Sequence, residues 1–366
     1  MASVWEEILE SGPLGVDDDF FALGGTSLMA LRMIDAIHAR LHRELPLEAL
    51  VAGATIARVA RALARAPALK RSSLVRFRPG RGRPPLFFVH SAGGSPLSYL
   101  ELARRLTPDQ PVFGVQEPEG LGDREPSIED RAAIYLDEIL AASPEGPWHV
   151  AGHSFGGLVA FEMARQLSTT GRSPGVVALI DTTAPAIDGA RIEDDLVRRL
   201  GEILEAAALD EDLPADPEDE RRLWSALAQF ADAALGDHAA RSTRLGAIER
   251  FCRRFHFLPS DEDMGYVELR RFLRAMRAAF RSARHYAPRA YAGRVTLLLA
   301  TASDRLDDAA AWKRVQIERW SAVALGGVDA CDVPGRHLDL LGPPHADVLA
   351  ARLTAALNLA RSTDEP

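Results

Sequence analysis

One serine of the 366-residue chain stands in a sequence suited to nucleophilic catalysis. Ser154 is the centre of residues 152–157, which read GHSFGG. The apolar run PWHVAGHS leads into it and predicts a buried strand, while the following FGGLVAFEMARQL predicts a helix. A sharp strand-to-helix turn lifts a serine hydroxyl above the sheet, and the helix N-terminus favours developing negative charge. We therefore predict Ser154 as a nucleophile rather than a residue of an ordinary tight turn, with the Phe155 backbone N–H as an oxyanion donor.

A second oxyanion donor is expected from the loop after an earlier strand. The sequence LFFVHSAGGS provides such a loop, with small residues that let a backbone N–H approach an oxyanion. We select the N–H of Ala92 for this role. The alternative is that residues 90–94 form only a flexible turn.

A carboxylate that orients the catalytic base is expected between the nucleophile and the histidine, because strand-to-helix serine sites of this type follow the chain order Ser, acid, His. Asp181 ends the predicted strand GVVALID, at the same sheet edge as Ser154. The competing acid is Asp304, which follows VTLLLATAS and lies close to Asp307 and Asp308. We favour Asp181, since several acids at loose positions are typical of solvated surface.

The base is sought among the late histidines. His337 lies in VPGRHLDLLGPPH, after the last predicted strand and before the final helix, where an imidazole reaches back to Ser154. His345 is the rival, at the start of that helix. His153 and His90 are given structural explanations, since the first is a neighbour within the motif and the second ends a strand. We predict His337 as the general base.

These side chains require a scaffold, and the chain from residue 85 onward alternates strands with helices. Six strand candidates, most of them unbroken apolar runs, predict a mostly parallel sheet covered by helices on both faces. Residues 187–285 contain no strand candidate and are charged and helical, which predicts a helical lid. The fold class expected is the α/β-hydrolase fold, with a helix from Ser127 that is capped through Asp130.

The first 66 residues have a different pattern. Helical spacing of apolar residues over 3–10, 27–44 and 56–64 predicts a small all-α helical bundle. Residues 67–84 are basic and rich in Pro and Gly, as in an exposed connector. The predicted organisation is a helical domain over 1–66, a linker over 67–84 and a hydrolase domain over 85–362.

Composition excludes several functions. The formal charge of −9 is spread along the chain, which disfavours nucleic acid as a partner. Cys252 and Cys331 lack metal-ligand spacing, so no metal site is expected. The sequence contains no apolar run long enough for a membrane span and no signal peptide, so we expect a cytoplasmic protein without a membrane partner.

Taken in order, FFVHSAGGS, GHSFGGLVAFEMARQL, LIDTTAP and PGRHLDLLGPPH resemble the thioesterase domains that end nonribosomal peptide and polyketide synthetases. The resemblance covers about residues 74–360. It implies that the acid follows the strand after the nucleophile's helix, which favours Asp181, and that the oxyanion donor of the HxAGG loop is Ala92.

The N-terminal domain is similar to peptidyl carrier proteins through GVDDDFFALGGTSL. The resemblance implies that Ser27 carries a covalent 4′-phosphopantetheine, attached by a phosphopantetheinyl transferase, and that upstream synthetase domains are partners. Family carriers begin one or two helical turns before Trp5, so the chain is expected to be the end of a longer polypeptide.

The function implied is chain release. An acyl or peptidyl thioester on Ser27 is transferred to Ser154 and then released by hydrolysis or macrocyclisation. The alternatives are a non-catalytic carrier or docking module with a hydrolase-like acyl-binding domain, and an editing thioesterase or esterase. A row of arginines in the lid is expected to be solvated or, as a hypothesis, to dock either the acidic carrier loop of residues 17–19 or the phosphate of the arm. Its members are Arg270, Arg274, Arg277, Arg281 and Arg284.

Overall fold

The computed structural model of the chain describes residues 2–9, 11–25, 29–30, 33, 36–37, 45, 48–51, 54–65, 72–118, 126–185, 266–302 and 309–364. Ser27 and Asp304 lie outside these residues. So do most of the helix expected over 27–44 and most of the lid expected over 187–285.

The described parts of the N-terminal region combine helices with a turn-rich segment over residues 11–25. It contains α1 (Ala2–Leu9), α2 (Glu48–Val51) and α3 (Ile56–Arg65). The expected helices over 3–10 and 56–64 are thereby confirmed. Trp5, Phe20 and Met33 are fully buried in one apolar cluster with these helices, so the short first helix packs on an apolar core.

The described residues from 72 onward form one seven-stranded sheet. Its strands are β1 (Leu74–Arg78), β2 (Leu86–Val89), β3 (Val112–Val115), β4 (His149–His153), β5 (Val177–Ile180), β6 (Val295–Ala300) and β7 (Val328–Val333). The order across the sheet is β1-β3-β2-β4-β5-β6-β7, and every neighbouring pair is parallel except β1 with β3. All six strand candidates of the sequence are confirmed, and their carboxyl ends share one sheet edge.

The seventh strand, β1, lies in the segment that was expected to be a connector. Leu74 and Val75 are buried, Arg76 is exposed, and the strand pairs antiparallel with β3. Its five residues are too few to show alternation among the surrounding basic and Gly-rich sequence. Charged side chains are typical of edge strands, which they protect from unwanted pairing. Part of the basic segment that was predicted as a linker is therefore an edge strand of the sheet.

Helices cover both faces of the sheet. They are α4 (Leu100–Arg105, after a 3₁₀ turn at Leu97–Tyr99), α5 (Ile128–Ala142), α6 (Phe155–Thr169), α7 (Tyr266–His285), α8 (Ala309–Val323) and α9 (His345–Asp364). Side chains of α5, α6 and α8 share one apolar cluster, and those of α4 and α9 share the cluster of the opposite face. The predicted cap of α5 is confirmed, since Ser127 Oγ accepts from the Asp130 N–H at 3.0 Å. None of the described helices is both long and apolar enough to cross a membrane.

The described end of the lid region is α7. Tyr286, the residue after α7, donates a hydrogen bond from its Oη to Glu162 Oε2 of α6 at 3.0 Å, and this bond anchors the end of α7 to the sheet domain. Arg277 is only 4% exposed. The row of arginines is therefore not the uniformly solvated face that was expected.

Candidate active site

Ser154 occupies the turn between β4 and α6, as the sequence predicts. Its φ of 56° and ψ of −120° lie in a region that L-residues rarely adopt, which costs about 1–3 kcal/mol. The turn is held by a hydrogen bond from the Ser154 N–H to the carbonyl of Ile180 at 2.9 Å. The serine side chain does not cap α6, so the hydroxyl is not consumed by the helix behind it.

Two glycines around the serine permit this turn. A Cβ on Gly152 would lie 2.1 Å from the backbone carbon of Gly156, and a Cβ on Gly156 would lie 2.4 Å from the carbonyl oxygen of Val89. Both distances are impossible for real Cβ atoms. The spacing GxSxG is therefore required by the close approach of β4, α6 and the end of β2.

Asp181 and His337 are in direct contact. Asp181 follows β5 with a φ of 44°, and its Oδ2 lies 2.6 Å from His337 Nδ1. Its other oxygen, Oδ1, accepts a hydrogen bond from the Ala300 N–H at 3.0 Å. The side chains of His337 and Asp181 are 16% and 14% exposed. The pair predicted from chain order thus meets at the carboxyl edge of the sheet.

The electrostatics of this pair assign the proton on the imidazole. Burial alone would raise the pKa of Asp181, but the hydrogen bond and charge of His337 and the Ala300 N–H outweigh it and lower this pKa to about 2. An ionised carboxylate only accepts hydrogen bonds, so His337 Nδ1 donates. In the neutral imidazole Nε2 is then the nitrogen that can accept a proton, which is what a general base needs.

The rival histidine is placed elsewhere. His345 begins α9, and its ring lies 2.8 Å from the position that a Cβ of Gly335 would take. It packs against the turn that precedes His337. Asp304, the rival candidate for the acid, lies outside the described residues.

His153 is part of the site, although the motif alone indicated only a neighbour of the nucleophile. Its Nε2 donates to the backbone carbonyl of His337 at 2.9 Å, and its ring centre lies 4.5 Å from that of His337. Its Nδ1 lies 3.2 Å from the Oγ of Ser91. His153 therefore joins the loop of the predicted base to the predicted oxyanion loop. Its position directly before the nucleophile, on a strand that ends at the site, is the signal that sequence reasoning passed over.

The predicted oxyanion donors belong to two rigid elements. Phe155 is the first residue of α6, and Ala92 lies in the turn after β2. This turn is closed by a hydrogen bond from the Gly94 N–H to the Ser91 carbonyl at 3.0 Å. Glu117, two residues past β3, donates its N–H to the Gly94 carbonyl at 2.8 Å. The loop at residues 90–94 is therefore a braced turn rather than a flexible one.

A buried polar cluster that includes His90 supports the loop of residues 90–94. The carboxylate of Glu117 lies 2.9 Å from His90 Nε2 and 3.0 Å from Arg131 Nη2, and it accepts from the Tyr135 hydroxyl at 3.2 Å. Burial raises the pKa of Glu117, but the hydrogen bond and charge of His90 and the charge of Arg131 lower it to about 2. The guanidinium of Arg131 also lies 5.5 Å from the ring centre of Phe155. Glu117 and Arg131 belong to no sequence motif and were missed.

The cofactor site predicted at Ser27 lies outside the described residues. The residues on either side fit an attachment site between a turn and a helix. Phe20 and Gly25 close a turn through the Gly25 N–H and the Phe20 carbonyl at 2.9 Å, and Met29 and Ala30 are helical and buried.

Comparison with known proteins agrees with this arrangement. Residues 84–357 match the family described as thioesterase domain, and residues 1–63 match the one described as phosphopantetheine attachment site. Malpibaldin synthetase of Mortierella alpina is 36% identical over 219 residues, which cover 56% of this chain and 4% of that protein. Chondramide synthase of Chondromyces crocatus is 28% identical over 388 residues, covering 100% of this chain and 9% of that protein.

The fold also matches a solved structure. A crystal structure of a holo four-domain nonribosomal peptide synthetase aligns with a TM-score of 0.56 and 23% identity, over 100% of this chain and 26% of that one. The chain thus spans less than a tenth of the two curated synthetases and about a quarter of the solved one. The chain belongs to the thioesterase domain family, with a phosphopantetheine attachment region ahead of it in the arrangement of nonribosomal peptide synthetases.

Proposed function

We propose that this chain takes an acyl or peptidyl group from an arm on Ser27 onto Ser154 and then releases it. Ser154 is the nucleophile, His337 the general base and Asp181 the carboxylate that orients it. The observation that carries this proposal is the 2.6 Å contact of His337 Nδ1 with Asp181 Oδ2, at the sheet edge where Ser154 occupies its strained turn.

The first half-reaction forms an ester on the serine. Bound at Ser27, the 4′-phosphopantetheine group supplies a thiol that carries the acyl chain as a thioester. Ser154 Oγ attacks the thioester carbonyl carbon, and its proton passes to His337 Nε2. The carbonyl oxygen becomes an oxyanion that accepts hydrogen bonds from the backbone N–H groups of Ala92 and Phe155. The C–S bond then breaks, and the proton on His337 moves to the departing sulfur.

The second half-reaction returns the serine. Water or a nucleophile within the acyl chain gives its proton to His337 Nε2 and attacks the ester carbonyl, and the C–O bond to Ser154 breaks with the proton returned to Oγ. Water yields a free acid, while an internal amine or hydroxyl yields a macrocycle. Both routes use the same base and oxyanion donors, so the triad does not choose between them. We assign that choice to the lid predicted over residues 187–285, since exclusion of water from a site of this kind would favour the internal nucleophile.

The organisation we propose is a carrier over 1–66 and a thioesterase that reaches to residue 362, with β1 (Leu74–Arg78) of the expected connector over 67–84 paired to the thioesterase sheet. The carrier implies a phosphopantetheinyl transferase and upstream synthetase domains as partners. The relatives support this, because one named as a synthetase and one named as a synthase are both more than ten times longer than the matched segment.

Covalent labelling tests the assignment of the triad. A fluorophosphonate reacts with an activated serine, so the intact chain should be labelled on Ser154 and Ser154→Ala should not. His337→Ala should abolish labelling, whereas His345→Ala, which removes the rival imidazole, should retain it. Labelling that survives His337→Ala, or that is lost equally in both histidine variants, would refute the assignment.

The origin of the acyl group needs a separate experiment. The chain is loaded at Ser27 with a hexanoyl-pantetheine arm, and loss of the thioester is followed by mass spectrometry. We expect release in the intact chain and a stable thioester in Ser154→Ala. An absence of labelling and of release would instead indicate a docking module. Hydrolysis of small soluble thioesters without release from the arm would indicate an esterase or editing enzyme.

A further inference from the structure

The carrier region and the thioesterase share an apolar cluster. Val75 of β1, Leu97 of the 3₁₀ turn and Leu100 of α4 are 0%, 3% and 9% exposed, and they lie in the same cluster as Trp5 and Phe20 of the carrier region. Side chains buried this completely exclude water between the two regions. The contact therefore resembles a protein interface core rather than two domains joined only by a flexible linker.

A cationic and an aromatic side chain meet at the rim of this contact. The guanidinium carbon of Arg104 lies 5.6 Å from the ring centre of Phe21, a distance suited to a cation–π interaction. Arg104 Nη1 also donates to Glu101 Oε1 at 3.0 Å. The backbone carbonyl of Arg104 accepts a hydrogen bond from Arg78 Nη2 at 3.0 Å. The contact with Glu101 orients the guanidinium of Arg104 from the thioesterase side. Phe21 lies six residues before Ser27, so the contact is made by the turn that leads to the attachment serine.

The contacted segment of the thioesterase is directly connected to the active site. Tyr99 lies between Leu97 and Leu100 and is buried. Its hydroxyl donates to the Val89 carbonyl at 2.8 Å and accepts from the His153 N–H at 2.7 Å. Burial is the main reason that the pKa of Tyr99 is raised to about 12, so this hydroxyl keeps its proton. The docking segment and the residue before the nucleophile are thus held together.

The charge-based alternative has less support from the described contacts. Asp18 Oδ2 accepts from the Gly15 N–H at 2.7 Å, and Asp19 Oδ1 accepts from the Phe21 N–H at 3.0 Å. These two carboxylates shape their own turn. On the lid helix, Arg277 is 4% exposed. The described contacts therefore favour docking through an apolar surface with one guanidinium at its rim over docking of the acidic loop on the arginine row.

We propose that the surface of Val75, Leu97, Leu100 and Arg104 is the docking site from which the carrier delivers its acyl chain. We call it the docking surface. Its occupant is the carrier region of this same chain, recognised through the aromatic ring of Phe21 in the turn before the attachment serine. This inference rests on the proposed function, since it names the surface that the acyl transfer to Ser154 uses.

Single-turnover transfer tests the docking surface in the whole chain. The chain is loaded with the hexanoyl-pantetheine arm, and the rate of thioester loss is measured for Phe21→Ala, Arg104→Ala and the double variant. A cation–π contact of this kind corresponds to about a two- to fivefold effect. We expect each single variant to slow transfer by this factor and the double variant to be no slower than the slower single one, because the two residues act as a pair.

Arg172→Ala is the matched control. It removes a guanidinium that lies 5.8 Å from the ring centre of Trp148, away from the docking surface. Transfer in this variant should equal that of the intact chain. Hydrolysis of a small soluble thioester should be unchanged in all four variants, since it needs no carrier. Hydrogen exchange adds a readout without catalysis, in which amides of residues 97–105 should exchange faster in Phe21→Ala and not in Arg172→Ala.

The outcomes separate the two proposals. Unchanged transfer and unchanged exchange in Phe21→Ala and Arg104→Ala would overturn the docking surface, as would an equal fall in small-thioester hydrolysis, which marks a structural role. Failure of Ser154 labelling in the intact chain would overturn the proposed function instead. In that case faster exchange of residues 97–105 in Phe21→Ala would still support the contact.

Discussion

Replacing Asp181 with asparagine removes one charge from the candidate site while keeping the shape of the side chain. The carboxylate is 14% exposed and contacts His337 Nδ1 at 2.6 Å and the Ala300 N–H at 3.0 Å. An amide oxygen still accepts from the Ala300 N–H. Asp181→Asn therefore tests mainly the charge that faces the imidazole.

The magnitude follows from the pKa of the carboxyl. Its fall from 3.8 to about 2 in the folded protein corresponds to about 2 kcal/mol of stability, at about 1.4 kcal/mol per pKa unit. Because the folded pKa of Asp181 lies below the unfolded value, this stabilisation is complete above about pH 5. It is lost as the pH falls through the interval from 3.8 to about 2. At pH 7 the variant should thus be less stable by about 2 kcal/mol.

Urea unfolding of the intact chain and the variant, followed by fluorescence at pH 7, 5 and 3, measures this difference. The control is Asp332→Asn, which breaks an exposed contact of Asp332 with Lys313 at 2.6 Å. A surface pair of this kind contributes less than about 1 kcal/mol. The reasoning is refuted if Asp181→Asn costs no more than the control, or if its cost is the same at pH 3 as at pH 7. Labelling of Ser154 in the variant should be slower by about 10⁴-fold, as for an imidazole in the wrong tautomer.

Three further predictions concern residues around the site. Gly156→Ala places a Cβ 2.4 Å from a carbonyl oxygen at the end of β2, so the variant should lose fluorophosphonate labelling, and a normal labelling rate would contradict the close approach. Glu117→Gln leaves Arg131, which is 1% exposed, without its charge partner; urea unfolding should show a loss of about 3–5 kcal/mol, and a loss below about 1 kcal/mol would contradict a buried pair. Tyr286→Phe removes a hydrogen bond of 3.0 Å to the buried Glu162, which should cost about 1–3 kcal/mol in the same assay, whereas equal stability would indicate that Glu162 does not need this donor.

The strands and the acid–base pair were predictable because their signals are local or follow from topology. Unbroken apolar runs identify buried parallel strands wherever they occur. Once the strands are known to be parallel, residues that end neighbouring strands must meet at one edge. Ser154 follows β4 and Asp181 follows β5, and β4 and β5 are neighbours in the sheet. Their proximity is therefore a consequence of strand order, and no side-chain detail was needed.

Two features were not predictable for the opposite reason. The strand β1 has five residues, and its place in the sheet depends on a partner, β3, that lies more than thirty residues later in the sequence. Likewise Glu117 and Arg131 are separated by fourteen residues and meet only because β3 and α5 pack together. A single sequence does not show which distant residues or strands contact each other. A charged residue after a strand, such as Glu117, is therefore predicted to be solvent-exposed until the packing is known.

The site therefore depends on two histidines of different function rather than one. His337 contacts the carboxylate of Asp181, and His153 contacts the backbone of His337 through a donor that the triad does not use. The N–H of His153 in turn donates to Tyr99, whose segment carries the docking surface. These hydrogen bonds hold that segment, His153 and the loop of His337 in fixed relative positions. Three short hydrogen bonds therefore connect the segment of the docking surface to the contact of His337 with Asp181, so a carrier bound there would approach a site whose geometry is already set.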